Sequence, residues 1–188
     1  MTTFHYFAYG SNMLTERLQA RCPSAAPLGP ARAHGFSLAI AKRAADRSGK
    51  ATLTRAADKT ADERADGAAR QTYGVLFEIH SRERHLLDRA EGPGYARDNA
   101  FPVALAACGS RFEASTYIAR DDHMAAGLDP FCWYRALIIA GAEQHGLPAD
   151  HIEDLRAQRY TPDPDPQRAS HRQARAVLEA AGFAHLLP

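Results

Sequence analysis

The sequence predicts an α+β protein of one domain, and three observations carry that prediction. Strand-like segments come first and helical ones mostly last, which separates the two element types instead of alternating them. The length of 188 residues fits one domain with a real core. Hydrophobic residues make up 45% and charged residues 24%, as in ordinary globular proteins.

The elements follow in chain order. "FHYFAY" is short, aromatic and bounded by Gly10, so it reads as a buried strand. "MLTERLQARC" places Leu14 and Leu18 four apart, the spacing of a short amphipathic helix, which Pro23 and Ser24 end. "GFSLAIA" alternates Phe36, Leu38 and Ile40 and predicts a half-buried strand, with "KATLT" as another. The run 55–70 contains no bulky apolar residue and reads as a solvated loop or short surface helix without chemistry. "TYGVLFEI" alternates Tyr73, Val75, Phe77 and Ile79, the clearest strand of all. "SRERHLLDRAEGPG" predicts a helix capped by Ser81 and stopped by Gly92, Pro93 and Gly94. "AFPVALA" and "RFEASTYIA" form a hairpin around Gly109 and Ser110. Beyond them, Asp129 and Pro130 start an apolar helix that Gly146 stops, and "ADHIEDLRAQ" follows Pro148. "TPDPDP" is a rigid turn, and Ser170 caps a last helix that Gly182 ends.

Composition narrows the function. Formal net charge is +1, with 23 Lys and Arg against 22 Asp and Glu, which gives no reason to expect a nucleic-acid or membrane-surface partner. Cys22, Cys108 and Cys132 are odd in number and widely spaced, so neither a disulfide framework nor a zinc knuckle is expected, and a cytoplasmic setting fits. No signal peptide is read at the start, and "ALIIAGA" is too short to span a membrane. The apolar helix around Trp133 suits a homodimer interface as well as a core.

Two stretches carry chemistry. In "YFAYGSN" a strand runs through Tyr9, Gly10, Ser11 and Asn12 into a helix, whose unpaired N–H groups favour an anion such as a carboxylate or phosphate. The plain alternative is that Ser11 or Asn12 caps the helix. In "LLDRAEGPGY", Glu91 ends a helix, where the dipole and apolar cover disfavour its charged form. A carboxyl of raised pKa suits acid–base work near neutral pH. The alternative is a surface glutamate before a helix stop. Asp88, one turn earlier, is either a second acid–base group or a structural group that caps or pairs with a neighbouring arginine. No nucleotide loop, catalytic triad or metal-ligand spacing occurs, so neither a nucleotide nor a metal site is expected.

In order along the chain, "YFAYGSNM", "LTERL", "PSAA", "GKATL", "YGVLFEI", "LLDRAEGPGY", "STYIA" and "LIIAGAEQHGLP" resemble the γ-glutamylcyclotransferase family, from about Tyr6 to Leu155. The resemblance implies a small mixed β-barrel flanked by helices over residues 1–160, with 161–188 a helical extension outside the match. It implies a cofactor-free and metal-free reaction in which a γ-glutamyl group cyclises to 5-oxoproline and releases an amino acid or amine. By motif position Glu91 corresponds to the acid–base group. Tyr9, Gly10, Ser11, Asn12 and Met13 correspond to the loop that holds the γ-glutamyl part, and Tyr95 and Tyr117 to aromatic pocket walls. Two other readings stand beside it: a non-catalytic protein that binds a γ-glutamyl or amino-acid ligand, and a hydrolase using Asp88 and Glu91 as paired carboxylates.

Overall fold

The structure, a computed structural model, describes residues 2–55 and 71–188. The run 55–70 read above as a loop or surface helix therefore lies, from residue 56 on, outside the described residues. Five strands close into a barrel: β1 (Thr3–Ala8), β5 (Gln71–His80), β2 (Ala26–His34), β6 (Tyr95–Leu105) and β7 (Arg111–Ala119), in that order. Antiparallel pairing joins them until β7 returns to β1 in parallel at Tyr6 and Ser115, so the barrel is mixed. Strands β3 (Phe36–Arg43) and β4 (Gly49–Arg55) form a separate two-stranded hairpin. The α+β, barrel-with-helices expectation is met.

Alternation explains most of the barrel. Inward residues such as Phe7, Val75, Phe77, Ile79 and Phe101 are almost inaccessible to solvent. Strand β2 was not read from the sequence, because Pro27, Gly29 and Pro30 break the pattern there. A register shift between Pro27 and Gly29 absorbs the irregularity, and β6 covers β2 only at Ala31 and Arg32.

The helices are α1 (Thr15–Gln19), α2 (Arg84–Glu91), α3 (Cys132–Gln144), α4 (Ala149–Ala157) and α5 (Ala169–Ala180). Three expected starts are corrected. Ser81 lies in a 3-10 turn, and α2 begins only at Arg84. The Asp129–Pro130 pair precedes α3, whose cap position is Phe131, and the Asp129 carbonyl instead accepts the Gly49 N–H at 2.9 Å. Ser170 lies within α5, after the cap position Arg168. None of these three helices has a side-chain cap bond; packing fixes their ends instead. α3 is the central helix, with every residue from Ala136 to Ala142 buried. The segment after α4 is tied to it: Trp133 Nε1 donates to Asp163 at 2.8 Å, and α5 buries Ala174 and Leu178.

Candidate active site

The chain leaves β1 at Ala8, passes Tyr9 and Gly10, and turns through a 3-10 segment, Ser11–Met13, before α1. Among the described residues no hydrogen bond is donated by the backbone N–H of Gly10, Ser11 or Asn12. Ser11 and Asn12 cap nothing here; both side chains are spent elsewhere. Ser11 Oγ accepts from Arg17 Nε at 3.1 Å. Asn12 Oδ1 accepts from Arg21 Nη1 at 2.8 Å, while Asn12 Nδ2 donates to Glu91 Oε1 at 2.6 Å and to Tyr6 Oη at 3.0 Å.

Glu91 is the last residue of α2, and Gly92, at φ 76°, turns the chain away behind it. The Glu91 side chain is 15% exposed, 4.0 Å from the Arg21 guanidinium and 3.4 Å from the Tyr6 hydroxyl. Burial pushes its carboxyl above the ordinary range, although Arg21, Arg17, the Tyr6 hydrogen bond and Lys42 all pull the other way.

Five tyrosines wall the pocket around this carboxyl: Tyr6, Tyr9, Tyr95, Tyr117 and Tyr134, with Gly10, Ser11, Asn12 and Ala51 completing it. Burial raises every one of these phenols, Tyr134 to about 12, so near neutral pH they are uncharged hydroxyls. Ala51 of β4 fixes two of them: its carbonyl accepts from Tyr95 at 2.7 Å and its N–H donates to Tyr134 at 3.1 Å. Tyr9 donates to the Tyr117 carbonyl. A Cβ on Gly10 would lie 3.2 Å from the Ala51 Cβ and 3.4 Å from the Tyr134 hydroxyl, so glycine keeps this loop open.

Of the residues singled out from sequence, Tyr9, Gly10, Ser11, Asn12, Glu91, Tyr95 and Tyr117 thus meet in one pocket. Met13 does not: it is fully buried beneath the loop, against Gly141 of α3. Asp88 is held apart as well. It receives Arg97 on both oxygens and the Tyr117 hydroxyl at 2.7 Å. Burial raises its pKa, but the Tyr117 and Arg97 hydrogen bonds outweigh that and leave it below the ordinary value. Of the two sequence readings for Asp88, the arginine partner is the one present.

Tyr6, Ala51 and Tyr134 were missed. Tyr6 reads as one more strand aromatic, and Tyr134 belongs to a helix legible only as core. Ala51 carries no side-chain signal, because it acts through its backbone. A roomier cleft, between β3, β5, α3 and α4, is lined by Leu38, Ile40, Thr72, Arg135 and His151 and holds none of the predicted site residues. Among the described residues no group of three or more His, Cys, Asp or Glu is arranged to hold a metal, and no helix is long and apolar enough to cross a membrane.

A small mixed barrel with one buried carboxyl facing a glycine-containing loop defines a class, and the AIG2-like family model matches residues 71–155. The chain is 30% identical to the human γ-glutamylcyclotransferase over 82% of its own length and 78% of the relative's. It superimposes on a solved γ-glutamyl cyclotransferase with a TM-score of 0.72 at 27% identity, covering 85% of this chain and 90% of that one. A yeast γ-glutamyl cyclotransferase specific to glutathione shares the fold alone, at 16% identity and a TM-score of 0.54 over 98% and 97% of the two chains. The chain belongs to the γ-glutamylcyclotransferase family.

Proposed function

We propose that this protein cyclises the γ-glutamyl group of a small molecule to 5-oxoproline and releases the attached amino acid or amine, with Glu91 as the acid–base group. The observation that carries this reading is the Glu91 carboxyl, buried and of raised pKa, on the wall of a pocket that also holds the Tyr9–Asn12 loop. The substrate's α-amine attacks its own γ-carbonyl carbon. It is an ammonium at neutral pH, so it first gives a proton to ionised Glu91. The new C–N bond forms, a tetrahedral oxyanion collapses, and the bond to the leaving nitrogen breaks as Glu91 returns the proton to that nitrogen; the second proton of the attacking nitrogen then passes by way of Glu91 to the released amine, which leaves as an ammonium beside the neutral lactam. No water and no enzyme nucleophile enters.

The remaining lining residues support binding and orientation. The N–H groups of Gly10, Ser11 and Asn12 are available to the substrate α-carboxylate or to the oxyanion. Asn12, itself held by Arg21, orients Glu91 through the 2.6 Å hydrogen bond. Tyr95 and Tyr117 form walls that hold the glutamyl chain folded back on itself; such proximity can supply on the order of 7 kcal/mol or more of the barrier reduction. The reading sets the reaction in the cytoplasm, within glutathione metabolism. The apolar side of α3 contributes no dimer surface, since it is spent inside the chain.

Incubation with γ-glutamyl-alanine tests the proposal. The expected products are 5-oxoproline and alanine. Free glutamate would identify a hydrolase, and binding without product a ligand-binding protein. Glu91→Gln should retain binding and lose turnover by on the order of 10³-fold; turnover at the parent rate would remove Glu91 from the reaction.

A further inference from the structure

We infer that Lys42 selects the leaving group: its ammonium, held over the Tyr95 ring beside Glu91, takes up a carboxylate on the released amino acid and so favours γ-glutamyl amino acids over γ-glutamyl amines. This rests on the cyclisation reading above and deepens it.

The placement of Lys42 comes from backbone irregularity. The β3–β4 register shifts between Ile40 and Lys42, and Lys42 then bridges to Met124 outside the hairpin. Its side chain crosses the turn that follows Glu91. Nζ lies 5.0 Å from the centroid of the Tyr95 ring, and Tyr95 is a wall of the pocket. A Cβ on Gly94 would stand 2.7 Å from His123 Cδ2, 2.8 Å from Lys42 Cε and 3.2 Å from Nζ, so this glycine makes the room in which the ammonium and the His123 ring lie.

The ammonium is close enough to Glu91 for each to shift the other's proton affinity. Yet neither neighbouring carboxylate is engaged by it. Asp46 is taken by Ser48 and Lys50, and Glu91 accepts from Asn12 and Tyr6 with Arg21 alongside. Arg17 and Arg21, the cations on the other side, are committed to Ser11 and Asn12. A partly buried cation over a tyrosine of the pocket wall, with no anion in contact among the described residues, is suited to one arriving with the substrate.

The chemistry says which anion. The leaving nitrogen must come to Glu91 to receive its proton. In an amino acid the carboxylate is two bonds from that nitrogen, and a cation that meets it has to lie close to Glu91, as Lys42 does. A γ-glutamyl amine offers no charge there, and a diamine offers a second ammonium that Lys42 repels.

Two substrates that differ only in this carboxylate, γ-glutamyl-alanine and γ-glutamylethylamide, make the test. The readout is the ratio of their kcat/KM values for 5-oxoproline formation. The parent should prefer γ-glutamyl-alanine by about 10- to 100-fold, the range of one charge-assisted hydrogen bond. Lys42→Met should bring the ratio close to one, and Lys42→Arg should retain most of the preference. Gly94→Ala, which crowds Lys42 together with His123 and leaves the charge of Lys42 unaltered, should also lower the ratio. An unchanged ratio in Lys42→Met, or a parent that turns over both substrates equally, overturns the role of Lys42 and leaves the cyclisation reading intact. A parent that yields 5-oxoproline from neither substrate overturns that reading, and this inference falls with it.

Discussion

At the scale of residues, two opposing influences meet on Glu91. Burial holds its proton, and Arg21, Arg17 and Lys42 release it. In the proposed role of base it must be ionised, so kcat/KM should fall as pH drops through its raised pKa, on an acid limb above the ordinary carboxylate value of 4.5. Arg21→Met removes the largest opposing charge and should move that limb to higher pH; a pH–rate profile for each protein decides it. The same shift has a stability consequence. A raised folded-state pKa contributes stability at low pH that is lost as pH rises through it. Glu91→Gln should therefore unfold at a higher Tm than the parent at alkaline pH, with the gap closing toward acid. Gly10 is the second residue-scale test. Gly10→Val drives a branched side chain into Ala51 and Tyr134, and should raise KM for γ-glutamyl-alanine at least about tenfold while costing about 1–3 kcal/mol of stability.

At the scale of elements, the loop and α3 are one unit. A Cβ on Gly141 would lie 2.5 Å from the Leu14 nitrogen and 2.6 Å from the Met13 Cβ, so α3 meets the Ser11–Met13 turn without space for a methyl group. Alanine in a helix interior is usually favoured over glycine by about 1 kcal/mol. Here Gly141→Ala should destabilise instead, by about 1–3 kcal/mol in urea titration, and lower kcat/KM as the loop is pushed toward the pocket. Met13 is involved here through packing, although its motif position pointed to substrate. The glycine was legible in the sequence, but its partner was not, because more than a hundred residues of chain separate two backbones that touch. Helix starts were poorly legible for a related reason: Ser81, Asp129 and Ser170 are good capping types, and tertiary contacts set the ends elsewhere.

At the scale of the molecule, Asp163 fastens the C-terminal segment to the central helix. Its side chain is inaccessible to solvent and accepts from Trp133 Nε1, Arg168 Nε and the Asp165 N–H. Burial raises its pKa, but these hydrogen bonds and the Arg168 charge outweigh it and hold it below the ordinary 3.8. A depressed folded-state pKa gives stability that is present above the unfolded value and lost as pH falls through the folded one. Asp163→Asn should cost about 1.5–3 kcal/mol at neutral pH, and the difference from the parent should shrink below about pH 4. Removing residues 161–188 should be more severe, because it uncovers Trp133 and the α3 surface that Ala174 and Leu178 bury; Trp133 fluorescence and Tm report both effects.

The sequence by itself determined the α+β class, six of the seven described strands, the alternation that fills the barrel and the positions of Glu91 and the Tyr9–Asn12 loop. These are local properties: a period, a glycine, a carboxyl at a helix end. Only the tertiary structure decided that Asp88 is engaged by Arg97 and Tyr117, that Tyr6 and Tyr134 join the pocket walls, and that Lys42 lies across Gly94 and over the Tyr95 ring. A raised pKa, a pocket wall or an ammonium with no anion among the described residues depends on which side chains crowd together, and the packing of the β3–β4 hairpin and the helices on the barrel sets that by joining segments far apart in the chain.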